Sequence, residues 1–523
     1  MNEERVEILE KSNKDFQSKK ISTDWGVTIP VVIMIVGFCS FLVLFPEKAN
    51  QFLSLIFDVV TGCFGWLYEL IVIVFAIICI WFIFGPLGKK RLGHGKQMST
   101  FAWWGMLFGG ACSSSILYWA TMEYIYYIQS PPFGVEPYTV EAFRWASAYG
   151  PFHWGFMPFM MYAMMTVVIG FYIHVRKPTN ALRISDACIS VIGEKKANGF
   201  VGKVIDCFYI LPNMLLHGGV SLGLSTPLVG ALVEEVFGIE HSLAVDAGLL
   251  ISWTILFTIS VYAGLTKGMK FITNLKMWLI IGLLVYIFIC GPTSFIMNNT
   301  LESLGVQLQN IIQMTTYTSA VDDGSFAQDW TIFYFAWFFA TILGTCMYYA
   351  KVCRGRTVRE TVIGVTLSNA VFCMIFFWVI GNYSMDLYLK DVLPIEEMMT
   401  NDMYGTAVAI WGQLPMSPIV IIAFLIYAFI ATWGVIQGAA YTGAMAGTKN
   451  LGEDDEPPRT AKVFWSILLG ALALSLLFLG GLETVKSSAM LAAIPTTIIT
   501  GILLVALGKD MYRIWGPGNR KKE

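Results

Sequence analysis

Residues 64–84 read Phe64-Gly-Trp-Leu-Tyr-Glu-Leu-Ile-Val-Ile-Val-Phe-Ala-Ile-Ile-Cys-Ile-Trp-Phe-Ile-Phe84, and Lys89, Lys90 and Arg91 follow closely. A helix needs about 20 apolar residues to cross the hydrocarbon core of a bilayer, so this stretch is one membrane span with a basic cluster beyond it. The same measure applied along the chain finds twelve spans, at 27–45, 64–84, 101–128, 152–175, 203–235, 243–264, 268–295, 328–350, 358–385, 416–446, 462–480 and 485–508. The long segments at 101–128, 203–235 and 416–446 have room to be tilted or broken. The expected fold class is an all-α integral membrane protein.

Composition agrees. Of 523 residues, 56% are hydrophobic and only 13% charged, with a mean hydropathy of +0.64, whereas soluble domains carry roughly 25% charged residues. The lipid bilayer is therefore the solvent. A net charge of −2 gives no reason to look for a nucleic-acid partner. The ten cysteines form no CxxC or Cys/His spacing, so no disulfide framework, metal site or cofactor is implied. Residues 1–24 are polar and lack the apolar core and cleavage site of a signal peptide, and are expected to be cytosolic.

Cytoplasmic loops collect Lys and Arg. With both termini inside, the inner segments hold Lys89-Lys90-Arg91, Arg176-Lys177, Lys195-Lys196, Arg354/Arg356/Arg359 and Arg520-Lys521-Lys522. The outer loops then hold only Lys48, Arg144, Lys390 and Lys486. Amphipathic stretches at 298–314 and 403–413 read as helices lying at the outer interface, with a subunit contact as the other reading. Gly452-Glu-Asp-Asp-Glu-Pro-Pro458 reads as a solvated acidic turn.

In the third span, Phe108-Gly109-Gly110-Ala111-Cys112-Ser113-Ser114-Ser115 concentrates small residues and hydroxyls. That composition fits a discontinuous helix at a mid-membrane binding site, and it equally fits close helix packing. Gly218-Gly219 reads as packing. Three aromatic clusters stand out: Tyr118-Trp119 with Tyr124, Tyr126 and Tyr127; Phe152-His153-Trp154; and Phe333 to Phe339, in which Phe333/Trp337 and Phe335/Phe338 define overlapping helix faces. Rings converging on a cavity attract a quaternary ammonium, a cation with no hydrogen bond to donate. His153, His217 and Glu123 read as hydrogen-bonded packing residues, Glu123 near the outer end of its helix, with proton transfer as the alternative. Lys276 is either a snorkelling residue near the inner end of its span or a buried functional charge. No cluster of acid, base and nucleophile exists at one depth, so an enzyme is not expected.

The strings Ser130-Pro-Pro-Phe-Gly134, Phe152-His-Trp-Gly155, Phe295-Ile-Met-Asn298, Cys353-Arg-Gly-Arg-Thr-Val-Arg-Glu360 and Leu479-Gly-Gly-Leu482, in this order, resemble the betaine/carnitine/choline transporter family, and within it the carnitine/γ-butyrobetaine antiporters. The resemblance runs from the first span to the last. It implies a LeuT-like fold in the cytoplasmic (inner) membrane, assembled as a homotrimer. On that plan 1–24 is cytosolic, 25–96 holds two peripheral helices, 97–297 and 328–510 are inverted five-helix repeats (spans three to seven and eight to twelve), 298–327 is an interfacial helix with an outer loop, and 511–523 is a cytosolic tail.

The resemblance also implies a substrate site. The family's aromatic box maps to Tyr126, Trp154, Trp337 and Phe338, where the family usually has Trp at the last. Thr341 stands where an aromatic is usual, and Thr345 where the carnitine antiporters have Met. The unwound helix maps to Gly109, Gly110, Ser113 and Ser114. Sodium-coupled members carry Thr-Ser followed by Ala-Asp-Ser in the tenth span; here the stretch is Ala431-Thr432-Trp433-Gly434-Val435, so one hydroxyl and the acid are missing. Lys276 matches the basic residue that replaces sodium in the antiporters, which have Arg there, and Thr432 would be its partner. The expected function is sodium-independent exchange of quaternary-ammonium compounds; the alternative is a sodium- or proton-coupled symporter.

Overall fold

The structure, a computed structural model, describes residues 21–95, 97–111, 114–176, 183–263, 266–322, 324–451, 455–479 and 482–516. It is helical nearly throughout. Ten helices are long and apolar enough to cross a membrane, or eleven if the bent pair Asn274–Cys290 and Thr293–Thr315 counts as one span. The remaining span of the twelve read from sequence is the third, of which the structure describes the helices Thr100–Ala111 and Ser115–Gln129, with Cys112 and Ser113 outside the described residues.

The bend of 107° between Asn274–Cys290 and Thr293–Thr315 falls at Gly291-Pro292. Gly291 ends one helix by donating to the Ile287 carbonyl at 2.8 Å, and Pro292, with no N–H to continue it, precedes the next. The amphipathic helix therefore begins at Thr293, inside the stretch read as the end of the seventh span.

The apolar face of the second amphipathic stretch is covered by protein. The helix Met403–Trp411 is capped by Asp402, which accepts from the Tyr404 and Gly405 amides at 3.0 Å each. Beyond the cap, Ala407, Ile410 and Trp411 are fully buried. The Trp411 ring stacks on Phe424 at 4.2 Å, and its Nε1 donates to Thr121 Oγ1 at 3.0 Å. Protein, not lipid headgroup, covers this apolar face. Removing a fully buried Trp costs about 3–5 kcal/mol, so Trp411→Ala should lower the apparent melting temperature of detergent-purified protein clearly, while a change at exposed Ile419 should not.

Two clasps close one end of the bundle. Ser22–Thr23 pairs antiparallel with Thr448–Lys449, and the Lys449 ammonium lies 3.2 Å from Asp24, tying the first helix to the end of Ser417–Ala446. The chain after the second span pairs with the Arg-rich loop: Leu92 donates to the Arg356 carbonyl at 2.8 Å, and Gly355 back to Leu92 at 2.7 Å. Gly355 has φ +80, a left-handed conformation that favours glycine. Arg91 and Gln97 both donate to its carbonyl, at 2.8 and 2.6 Å. Thr357 and Glu360 then form a reciprocal capping box that starts the helix Val358–Phe376. The basic loop thus has a folding role as well as a charge.

Gly218 behaves as a packing residue: a Cβ there would come 3.1 Å from Leu472 of the neighbouring helix Arg459–Leu479. Gly219 carries no described side-chain environment.

Candidate functional site

Two segments place the site. At the first, the helices Thr100–Ala111 and Ser115–Gln129 flank Cys112 and Ser113, which lie outside the described residues; Gly109 and Gly110 belong to the first helix and Ser114 immediately precedes the second. The second separates Val140–His153 from Phe156–Gly170 at Trp154-Gly155. Pro158 has no N–H to give the Trp154 carbonyl, and a Cβ at Gly155 would stand 2.5 Å from the Pro151 carbonyl oxygen, so only glycine permits this path. Non-helical backbone at membrane depth is tolerated only inside protein, and both Trp154 and Gly155 are buried.

At the second segment the Trp154 ring meets Trp337 edge-on at 5.6 Å and Phe338 at 5.9 Å. Tyr334 stacks on Trp337 at 5.6 Å and 16°, and Phe159 and Tyr162 approach Phe338 at 5.4 and 5.3 Å. The Tyr162 hydroxyl donates to Thr341, whose own hydroxyl donates to the Phe338 carbonyl at 3.1 Å. Three of the four predicted rings thus lie within contact of one another, with Thr341 on the same wall. Tyr126 is not in contact with them: it meets Trp330 at 5.3 Å, which reaches the trio only through Tyr334 or Trp119, and it shares a 2.6 Å hydroxyl bond with Tyr118.

Accessibility marks which rings border open space. On the helix Phe333–Val352, Phe333, Phe335 and Phe339 are sealed, yet Trp337 keeps 8% of its surface, Phe338 6% and Thr341 6%. Thr345 is half-buried and Tyr348 exposed. Residues 337, 341, 345 and 348 share one helix face, and that face opens progressively from the rings toward the end that carries Arg354. Trp154, opposite, retains 7%.

Behind the rings lies a fully buried carboxylate. Glu123 accepts from Tyr334 at 2.7 Å, from Trp154 Nε1 at 3.3 Å and from Tyr127. It sits in the middle of Ser115–Gln129, not near the outer end of its helix. Tyr127 has one proton and gives it to Glu123, so at the 2.8 Å contact with His153 the ring Nδ1 is the donor. Thr331 then donates to His153 Nε2 at 3.0 Å. Both nitrogens of His153 are occupied, which makes it a positioning residue. The chain of bonds fixes Trp154 from behind, so the indole face toward the open space is preorganised.

The first segment faces the helix Ser417–Ala446. Ser114 and Thr432 share a hydroxyl bond of 2.6 Å, and Thr432 donates to the Ala428 carbonyl at 2.8 Å. Ala431 is buried, and a Cβ at Gly434 would meet nothing within 4 Å. Lys276 is buried on the helix Thr266–Cys290, which packs against Ser417–Ala446. His217 is half-buried in the π-helical segment Leu216–Ser221, which packs against Ser417–Ala446; its Nδ1 has no hydrogen-bond partner among the described residues, so the expectation of a hydrogen-bonded packing residue is not met at that nitrogen.

Sequence reasoning placed Trp119 and Tyr334 in aromatic clusters without assigning them to the site, and it missed Tyr162, Phe159 and Phe377. Phe377 lies 6.1 Å from Trp154 and Trp119 6.3 Å from Trp337.

Apolar helices of membrane-crossing length, interrupted where buried rings meet, define a polytopic membrane transporter. The betaine/carnitine/choline family transporter model matches residues 26–515, and the chain belongs to that family. Its class of cargo is accordingly betaine-, carnitine- or choline-type compounds, and it is a transporter rather than an enzyme.

Proposed function

We propose that this transporter exchanges one quaternary-ammonium compound for another, such as carnitine, γ-butyrobetaine or glycine betaine, without sodium. The observation that carries the reading is the wall of Trp154, Trp337 and Phe338, whose rings meet one another yet stay accessible on one side. A cation without hydrogens to donate gains from ring faces what it loses in hydration. Its carboxylate would meet the amides that open Ser115–Gln129, where a helix start offers positive potential. Thr341 and Thr345 make the box smaller and more polar on one side than an all-aromatic one, and Tyr126 would close it from the far side.

The same reading holds that spans three to seven and eight to twelve are inverted repeats that rock about this site, that the protein is a homotrimer of the cytoplasmic membrane, and that both termini are cytoplasmic. The accessible face running toward Tyr348 and Arg354 is then an inward-facing path.

Uptake of labelled glycine betaine or carnitine into proteoliposomes tests the coupling. Uptake should require preloading with a betaine and be indifferent to replacing sodium by potassium; plain glycine should not compete. Uptake into empty vesicles driven by a sodium or proton gradient would establish the symporter instead.

A further inference from the structure

Lys486 is the fifth residue of the last helix, Leu482–Trp515, at the end of the bundle away from the Arg-rich loop, and although read as an outer-loop cation it is only 2% exposed. Its ammonium stands 4.9 Å from the Trp330 ring centroid, 5.2 Å from Phe57 and 5.5 Å from Phe333. Three rings from two helices, Phe57 on Pro46–Asp58 and Trp330 and Phe333 one turn apart on the continuous helix Ala327–Val352, thus surround one cation. Among the described residues its polar partners are weakly placed: Glu483 Oε1 at 3.4 Å and Asp329 Oδ1 at 4.0 Å. An ammonium carries three donors and is strongly hydrated, so a pocket of ring faces with one long hydrogen bond suits it less well than it suits a cation with no donors at all.

The cage shares walls with the chamber. Trp330 lies 5.3 Å from Tyr126, and Phe333 5.5 Å from Trp337. Its two carboxylates form an acidic rim, since the side chains of Asp329 and Glu483 are 35% and 73% exposed. Negative potential at a mouth concentrates cations there. Acidic rim, ring cage and shared walls form the sequence of surfaces that an entering quaternary ammonium would meet.

The geometry points to Lys486 as a tethered occupant of a second aromatic cation site: its ammonium fills the Phe57/Trp330/Phe333 cage and bars quaternary ammonium ions from it. The inference rests on the aromatic-box reading for its place in transport, but the cage is chemically independent of the box. Truncation to Ala removes Cγ, Cδ, Cε and the ammonium and vacates a space close to that of a tetramethylammonium ion.

Titration of the purified full-length chain with tetramethylammonium, followed by calorimetry, tests this. Wild-type protein should bind about one ion per chain and Lys486→Ala about two. Lys486→Arg, which keeps a cation, and Lys486→Met, which keeps the stem, should both behave as wild type. The added site should disappear in Lys486→Ala/Trp330→Leu and persist in Lys486→Ala/Trp154→Ala, where the box site is lost instead. Failure of the box reading would show as wild-type binding insensitive to Trp154→Ala, with the added site still appearing in Lys486→Ala. A Lys486→Ala protein that melts like wild type yet gains no site overturns the inference. So does loss of fold in both Lys486→Ala and Lys486→Ser, which would make the lysine a structural pin.

Discussion

Trp154→Ala and Trp337→Ala are each expected to weaken binding of a quaternary-ammonium substrate by about ten- to thirtyfold, since a desolvated ring contributes about 2 kcal/mol to a cation. The two losses have different anatomies. Trp337 packs against Tyr334, Trp154 and Phe333 at 5.5–5.6 Å, so its removal takes away a ring and its buried packing but removes no donor from Glu123. Trp154 also donates to Glu123 at 3.3 Å, and its removal leaves that buried carboxylate with Tyr127 and Tyr334 as donors. A buried acceptor that loses a donor is costly, so Trp154→Ala should lower thermal stability as well as affinity. Trp154→Phe separates the contributions: it keeps a ring face and loses the N–H, and should recover most of the affinity but not the stability. Calorimetric titration with glycine betaine alongside melting curves reads both. Unchanged affinity in both alanine variants would move the site elsewhere.

The parts of this molecule legible in sequence are those governed by length and local chemistry. Apolar runs near 20 residues announce spans because the bilayer sets their length, whereas the Gly/Ser-rich stretch at 108–115 runs across Cys112 and Ser113, which lie outside the described residues. Gly291-Pro292 was readable as a stop, but a hydrophobic-length criterion runs across it because the flanking residues stay apolar. What sequence did not show is what depends on partners from distant segments. Met403–Trp411 has the amphipathic pattern of an interfacial helix, and only the stacking of Trp411 on Phe424 and its bond to Thr121 reveal that protein covers it. Glu123 on an apolar helix says nothing about which hydroxyls converge on it. Counting Lys486 as an outer charge captured its sign but not the three rings around it.

Lys276→Gln and Lys276→Ala are expected to lose most transport, because in the proposed mechanism this ammonium does the work of a bound sodium ion. A sodium site between the third span and the helix Ser417–Ala446 needs several oxygens on both sides. On the second side Thr432 supplies one hydroxyl, already bonded to Ser114 at 2.6 Å, while Ala431 and Gly434 supply none. The open space at Gly434, where a Cβ would meet nothing within 4 Å, leaves no acid to balance a metal ion. Lys276 is buried on the helix that packs against this one. A charge there is costly in a membrane interior unless oxygens receive it, and an ammonium on a four-carbon stem can reach hydroxyls and backbone carbonyls of both helices. On this proposal a covalently held cation would join the two helices throughout the cycle without drawing on an ion gradient, and chemically similar substrates would exchange down their own gradients. Loss of the charge should uncouple the helices, and the smaller Ala variant, which leaves room for an ion, should regain part of its activity in sodium but not in potassium. Exchange assays in both salts, on variants whose melting curves match wild type, separate this from misfolding. Full sodium-free activity in both variants would leave Lys276 as a buried lysine with no part in coupling.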